Sequence, residues 1–582
     1  MEEKKVVEKK MIGFPSIDRP WLKYYSEKAI LATLPEVSIY EYVKQENINN
    51  LDATALIYYG NKISYRQFLY RIDEVAKALT KLGVKHGDIV TVYSLNTPEC
   101  IYLLYALNKL GAVANMIYSI ETAENIRDRI KEVQSTILLT LDIFQQKLLQ
   151  ILDETDIKTV IVSNLTQSMS VSSKLGARYI KKMKPLKLPS DKRFISWEMF
   201  WKGRETVRES DVIVCNDENL PAVIVYSGGT TGGAKGVVLS SRNINAGAWY
   251  YIQCEANLCR GQTWLQVIPL FIAYGVVSSL HLPLVAGLTL IVRIVGTDTV
   301  SQVCKLKPNH ILHGPAFWES FVDENIDIDL SFLINPTSGG DALSQAVENK
   351  INNYFRAHNC KYPLMNGYGM SEMGAAIAVN FENVYRIGSV GIPFVKVIIS
   401  AFDSETEEEM QYGQEGEICL QGPSMMMNYY NKEEETKEII RTHKDGSVWL
   451  HSGDLGYISE DGFVYISGRL KRFIHIKYDN MHEKVFSMEI EKVLIKHVYV
   501  DKCVIVPVAD KEHIQLPFAY VILENGIKPT KEMEQDIRLF CQEHLKELCR
   551  PVQYKFMETF PLTKIGKVDY RELERMANEK DN

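Results

Sequence analysis

The 582-residue sequence has no Cys-x-x-Cys pair, although it holds ten cysteines. Scattered over a chain of this length, they require no disulfide framework, and a reduced, cytoplasmic compartment fits them. Nor does the opening read as a secretory leader. The opening MEEKKVVEKK is charged, has no apolar core, and reads as a solvated tail. No stretch reads as a membrane span. The most apolar one, Phe271–Val295, is broken by Ser278, Ser279, His281, Pro283, Gly287 and Arg293. It reads instead as a buried helix followed by a buried strand. A net charge of −7 argues against a dedicated nucleic-acid binder. There is no internal repeat and no low-complexity segment. What remains is 46% hydrophobic content, enough for a large core divided among roughly three or four structural units.

Strand-like and helix-like runs alternate. Ile89–Tyr93, Thr136–Thr140, Thr159–Ser163 and Ala222–Tyr226 are short and rich in β-branched residues. Glu99–Leu110 is apolar at helical spacing, and Gly111 suits the end of that helix. This alternation predicts an α/β protein with mainly parallel sheets. Residues 164–210 read as a surface excursion rich in Ser, Lys and Pro. Residues 403–417 read as an acidic, solvated loop. After Arg469 the pattern changes. A short strand, a helix near 487–497, strands Cys503–Val508 and Phe518–Leu523 and a helix near 530–547 predict a small α+β domain. The expected organisation is a tail and lead-in over 1–34, a large N-terminal α/β domain over 35–470 and a small mobile C-terminal α+β domain over 471–582.

The sharpest local signal follows the strand Ala222–Tyr226. Ser227, Gly228, Gly229, Thr230, Thr231, Gly232, Gly233, Ala234, Lys235 and Gly236 form a glycine- and hydroxyl-rich loop ending in a cation. Glycines let backbone N–H groups approach an anion, the hydroxyls donate further bonds, and Lys235 brings a full charge. A triphosphate needs this set. The loop is not a Walker A motif, since Ala234 precedes the lysine and Gly236 follows it.

With Tyr226, this segment resembles the phosphate-binding motif of the superfamily of acyl-CoA synthetases, peptide-synthetase adenylation domains and firefly luciferase. Gly228 replaces the family's usual Ser, and Ala234 its usual Pro. Further motifs occur in the family's order. Gly367-Tyr368-Gly369-Met370-Ser371-Glu372 resembles its Gly-Tyr-Gly-x-Thr-Glu motif. The resemblance implies that Tyr368 stacks on adenine, Ser371 contacts the α-phosphate and Glu372 holds Mg²⁺. Trp449-Leu450-His451-Ser452-Gly453-Asp454-Leu455-Gly456 resembles the Trp-x-x-Thr-Gly-Asp-x-Gly segment, which makes Asp454 the ribose acceptor. Arg469 matches a second ribose or phosphate contact, and Lys471 the hinge between domains. Pro561-Leu562-Thr563-Lys564-Ile565-Gly566-Lys567 resembles the C-terminal motif whose lysine, here Lys567, acts in adenylation. Ser338-Gly339-Gly340-Asp341 resembles the glycine turn that places Gly340 and Asp341 by the nucleotide. Gly339 and Gly367 fall beside the acyl pocket. The likeness covers roughly residues 35–575 and is closest to fatty acyl-CoA ligases.

In Pro269-Leu270-Phe271-Ile272-Ala273-Tyr274-Gly275, Ile272 stands where the family usually has His, so an apolar acyl wall is expected there. No acidic residue lies between Gly261 and Arg293. A buried ammonium would be unpaired, which disfavours an α-amino acid and favours a fatty or other apolar carboxylic acid. The resemblance implies ATP, Mg²⁺ and CoA: acyl-AMP forms with release of pyrophosphate, then the acyl group passes to a thiol. After Lys471 the run Arg472–Lys484 is longer than the family's usual loop and has no glycine. Two alternatives stand beside the CoA ligase. One is an acyl-AMP ligase loading an acyl carrier protein. The other is a non-catalytic protein that binds nucleotide or acyl-adenylate.

Overall fold

The computed structural model describes residues 11–179, 186–227, 234–254, 257–294, 299–470, 472–478, 481–524, 526–563 and 568–579. Two large sheets dominate. The first runs Asn428–Tyr429, Gly236–Ser240, Pro221–Tyr226, Val113–Met116, Ile89–Tyr93, Ile137–Leu141, Thr159–Ser163 and Phe194–Ser196. Its last six strands are parallel; the two strands after the phosphate loop are antiparallel. The predicted strand runs thus hold, within a residue at their ends. Their near-continuous apolar character reflects burial on both faces, as parallel strands require.

The second sheet has nine strands, with a parallel centre from Met365–Met370 to Thr54–Tyr58 and antiparallel edges. The strand Thr289–Val292 lies in it, and the apolar stretch before it is helical as predicted. The sequence does not announce that this helix is wound in wide π turns over Tyr274–His281 before Leu282–Val285 closes it.

The helix Pro98–Lys109 is buried along almost its whole circumference, so it is apolar on all sides rather than amphipathic. The Thr97 hydroxyl caps it by accepting from the Cys100 N–H at 3.3 Å. Gly111 follows at φ +70, where a Cβ would fall 2.7 Å from His86 and 2.9 Å from Cys215.

Glu99 in this helix is 2% exposed. Its Oε1 accepts from Ser168 Oγ at 2.5 Å, and its Oε2 has no partner among the described residues. Burial raises its pKa to about 7. The folded state therefore holds a proton that the unfolded chain releases near the ordinary value of 4.5, so stability falls as pH rises between these two values. Glu99→Gln is expected to be nearly neutral at pH about 4.5 and stabilising by about 2 kcal/mol at pH about 8. Urea unfolding at both pH values checks this, and equal effects at both would contradict it.

Residues 164–210 are more than a surface excursion. They supply the edge strand Phe194–Ser196 and the helix Trp197–Lys202, and they bury Phe194, Trp197 and Phe200. The lead-in is also anchored. Trp21 is fully buried, and the Ser16 N–H and hydroxyl both donate to Glu409. The predicted tail over 1–10 lies outside the described residues.

A third, antiparallel sheet joins Ile398–Phe402, Gly416–Gln421, Val448–Ile458, Ile440–Thr442 and Val464–Arg469. The acidic loop before Gly416 is not wholly solvated: Glu407 and Glu409 are half-buried, and Glu417 is buried.

The C-terminal α+β domain has its own sheet and two core clusters built around Ile474, Ile505, Ile537 and Tyr520. Two of its helices, Ser487–Leu494 and Lys531–His544, lie near the predicted positions, and a further one covers Tyr570–Asn578. The long glycine-free run forms a regular hairpin, Phe473–Tyr478 against Met481–Phe486.

Candidate active site

The phosphate loop closes where Tyr226 pairs with Gly236 and the Ser227 N–H donates to the Lys235 carbonyl at 3.0 Å. Gly228, Gly229, Thr230, Thr231 and Gly232 lie outside the described residues. Lys235 emerges half-buried, its Nζ 4.8 Å from the centroid of the Tyr429 ring. Tyr429 is held there because Asn428–Tyr429 pairs with Val237 and Val238 on the strand leaving the loop. Its hydroxyl donates to Glu372 Oε1 at 2.7 Å. Burial, then the Glu372 charge, pushes the Tyr429 phenol well up, so it stays a donor. One ring therefore links the loop lysine to the carboxylate expected to hold the metal. Sequence reasoning missed Tyr429, since Asn428-Tyr429-Tyr430 carries no local signature.

Glu372 sits in the one-turn 3₁₀ helix Ser371–Met373, which follows the strand Met365–Met370. Gly374 ends the turn at φ +64, and a Cβ there would fall 2.9 Å from the Ser424 carbonyl. Ser371 is half-buried and Glu372 is buried. Tyr429 takes only one oxygen of Glu372. A carboxylate retains further acceptor sites, and a hard cation prefers oxygen, so the site fits Mg²⁺.

Asp454 and Arg469 face each other in register on neighbouring strands. Arg469 Nε lies 2.9 Å from Asp454 Oδ1, and the Tyr368 hydroxyl donates to Asp454 Oδ2 at 2.6 Å. Asp454 is only 5% exposed, whereas the Arg469 side chain is half-exposed. Burial, then Asp454, holds the Tyr368 phenol well above its usual range. Arg469 is raised chiefly by Asp454, with contributions from Tyr368, Glu372 and Asp341. The fold therefore gathers Tyr368, Asp454, Arg469, Glu372 and Asp341 at one place, from three chain segments. Asp341 is exposed, and Gly340 before it adopts φ +92.

Gly339 and Gly367 meet nearby. A Cβ on Gly339 would fall 3.5 Å from the Gly367 carbonyl and 3.3 Å from the Tyr274 hydroxyl. Ile272 packs on the main core. Tyr274, two residues on, is the side chain that reaches the glycine pair, and sequence reasoning did not single it out. Its buried hydroxyl has no partner among the described residues, nor do Ser278 Oγ, Ser338 Oγ and Asn366 Oδ1.

Lys471 and Lys567 lie outside the described residues. Their neighbours show where the C-terminal domain stands. The Arg472 guanidinium lies 3.8 Å over the Tyr570 ring and pairs with Glu491 at 2.5 Å. Burial raises the Tyr570 phenol to about 12, and the charges of Asp341 and Arg469 reach it. Leu562 and Val568 bridge antiparallel on either side of the Lys567 motif. Lys502 pairs with Glu319 across the domains at 2.5 Å.

A cation-tipped glycine loop, a buried carboxylate and an Asp–Arg–Tyr cluster, set between parallel sheets and a small second domain, define a nucleotide-using enzyme of the adenylate-forming fold. The chain belongs to the AMP-binding enzyme family: the family's description "AMP-binding enzyme" matches residues 44–430, and "AMP-binding enzyme C-terminal domain" matches residues 489–567. It is 26% identical over 567 residues to a long-chain-fatty-acid–CoA ligase of Bacillus subtilis (strain 168), covering 95% of this chain and 97% of that one. It is 26% identical over 529 residues to 4-coumarate–CoA ligase 1 of Petroselinum crispum, covering 88% and 89%. Among solved structures, ATP-bound MatB from Rhodopseudomonas palustris superposes with a TM-score of 0.78 at 19% identity, covering 92% of this chain and 98% of that one.

Proposed function

We propose that this chain is an AMP-forming acid–thiol ligase that converts an apolar carboxylic acid to its CoA thioester. The observation that carries the proposal is the chain Lys235–Tyr429–Glu372 converging on the Tyr368–Asp454–Arg469 cluster. Ligases of this kind use ATP, Mg²⁺ and CoA. A carboxylate oxygen of the acid bonds to the α-phosphorus, and the bond to the β-phosphate bridging oxygen breaks, releasing pyrophosphate. The thiol sulfur then bonds to the acyl carbon, AMP leaves, and the thiol proton passes to solvent.

Each residue contributes an orientation or a charge. Lys235 and the loop N–H groups hold the phosphates, and Ser371 contacts the α-phosphate. Glu372 holds Mg²⁺, which supplies charge neutralisation when bound. Asp454 and Arg469 bind the ribose, and Tyr368 lies against adenine while anchoring Asp454. Lys567 neutralises charge between the acid and the α-phosphate. We divide the chain at 470/471, where Lys471 serves as the hinge. The acceptor is CoA rather than a carrier protein in this reading, supported by the two relatives named as CoA ligases. Among the described residues no helix is long and apolar enough to cross a membrane. The cysteines are scattered with no Cys-x-x-Cys pair, which supports a cytoplasmic setting.

The acid enters between Gly339, Gly367 and the Tyr274 ring. The strand that ends before Gly339 and the strand that carries Gly367 also line a small cavity of about 10 Å³, walled by Tyr251, Trp264, Met365 and Phe381 with Asn335 and Asn380. Ile272 on the core wall and the lack of an acidic residue between Gly261 and Arg293 favour an apolar acid. A second reading, a hydroxylated aromatic acid, is favoured by the unpartnered Tyr274, Ser278, Ser338 and Asn366 atoms. Acid-dependent ATP–pyrophosphate exchange and product mass spectrometry, run across fatty, cinnamic, benzoic and α-amino acids, decide between them. We expect exchange with fatty or aryl acids at rates at least about 100-fold above any α-amino acid, the cost of an unpaired ammonium. Exchange with an amino acid alone would overturn the ligase substrate class. If the acid is hydroxylated, Tyr274→Phe should lower its kcat/KM about tenfold and spare the fatty acid.

A further inference from the structure

Away from the nucleotide, the third sheet gathers a second set of ligand-type side chains. Glu407, His443 and His451 each offer one ligand atom, and these atoms all lie within 4.8 Å of one another. The Nε2 atoms of His443 and His451 face each other at 3.0 Å. Two zinc-bound imidazole nitrogens at about 2.0–2.1 Å and tetrahedral angles stand about 3.3 Å apart. A change of a few tenths of an ångström reaches that spacing.

His451 is already oriented as a metal-bound histidine is. Its Nδ1 donates to Glu417 Oε2 at 2.8 Å, which leaves the lone pair on Nε2, pointing at His443. Both histidines are buried, and Glu407 is half-buried at the edge of the acidic loop. Arg441 stands 3.8 Å from Glu407, is 40% exposed, and donates its Nε–H to the Glu438 carbonyl at 2.8 Å. Cys419 Sγ, 3.5 Å from His451 Nδ1, lies on the far side of that ring. Imidazole nitrogens with one carboxylate suit zinc and its neighbours rather than Mg²⁺.

The backbone makes the cluster rigid. His443 N–H donates to the Ser447 carbonyl, closing the hairpin between Ile440–Thr442 and Val448–Ile458. The second oxygen of Glu417 accepts from the Gly453 N–H at 3.0 Å, and Gly453 directly precedes Asp454. An ion here would tie the acidic loop to this hairpin, two residues before the Gly453–Asp454 turn.

We propose that Glu407, His443 and His451 bind a zinc-class divalent transition-metal ion, with Glu417 as the residue that orients His451. The proposal rests on these side chains alone and is independent of the acid and the acceptor thiol.

Chelator-treated full-length protein is titrated with Co²⁺, and the visible d–d absorption of a tetrahedral nitrogen/oxygen site is recorded. We expect a band that saturates at a single equivalent and is bleached by Zn²⁺. His443→Gln and Glu407→Gln should each abolish it, while Glu372→Gln, altered at the Mg²⁺ site, should retain it. Glu417→Gln should weaken Co²⁺ binding about 10–100-fold. A flat titration of the unaltered protein overturns the proposal. So does a band that survives both His443→Gln and Glu407→Gln, or one lost with Glu372→Gln. In those cases the histidine pair is a hydrogen-bonded contact of the hairpin and nothing more.

Discussion

Asp454→Ala is expected to reduce kcat/KM for ATP by more than tenfold and, in the absence of nucleotide, to lower the unfolding free energy by about 2 kcal/mol. The first effect follows from chemistry. Two ribose hydroxyls donating to a carboxylate gain roughly 1.5–3 kcal/mol each, and about 1.4 kcal/mol is one decade in affinity. The second follows from the geometry. From sequence alone a ribose-binding carboxylate is expected to be solvated in an empty site, so its loss should leave stability unchanged. In the fold, Asp454 is buried, accepts from Tyr368 and pairs with Arg469. Removing it leaves the Tyr368 hydroxyl without its acceptor. The loss is limited because Arg469 is half-exposed and can turn to water. ATP-dependence kinetics beside urea unfolding of the apo variant separate the two effects. A destabilised variant with normal ATP kinetics would make Asp454 a structural residue and remove Arg469 from the site with it. Asp454→Asn keeps the shape and an acceptor, so it should retain more stability than Ala while still losing ATP affinity.

The Asp454 case shows which part of the site was legible. The motif residues are named through their resemblance to a family pattern, and their types suit the chemistry proposed for them: glycines and hydroxyls for phosphate, carboxylates for ribose and metal. Their mutual contacts could not be read, because those depend on strand register. Asp454 meets Arg469 only because residues 454 and 469 fall opposite each other on an antiparallel pair. Tyr429 joins Lys235 to Glu372 through an edge strand two residues long, too short for any periodicity. Tyr274 carries no signature in the sequence, because only the fold brings its hydroxyl to 3.3 Å from where a Cβ on Gly339 would stand. The parallel strands were easy, since β-branched runs buried on both faces carry a strong signal. Residues 164–210 were hard for the opposite reason. Their Ser- and Lys-rich composition hides a three-residue edge strand and one buried aromatic face. The histidine pair is the extreme case. His443 and His451 lie eight residues apart across a tight hairpin turn, and Glu407 arrives from a loop that reads as solvated acid.

Lys567→Ala is expected to split the two half-reactions. Acid-dependent ATP–pyrophosphate exchange should fall about 10²–10³-fold, the loss seen when one preorganised electrostatic contact to a developing charge is removed. Conversion of a supplied acyl-adenylate to the thioester should change little. The reason is charge. During adenylation an anionic acid must approach a polyanionic phosphate, and a cation between them offsets the repulsion. During thioester formation the acid is already joined to the α-phosphate as a mixed anhydride and no longer carries a carboxylate charge, so that need is gone. The surroundings of the motif support its approach to the site. Tyr570, three residues beyond Lys567, lies under Arg472 and feels the charges of Asp341 and Arg469. The bridge between Leu562 and Val568 fixes both ends of the segment that carries the lysine. Equal losses in both half-reactions, in a variant that melts like the parent, would show that Lys567 holds the C-terminal domain in place rather than acting on the substrate. Lys567→Arg refines the test. It keeps the charge but spreads it over a planar fork, so a charge role predicts partial recovery of exchange and a purely steric fit predicts none.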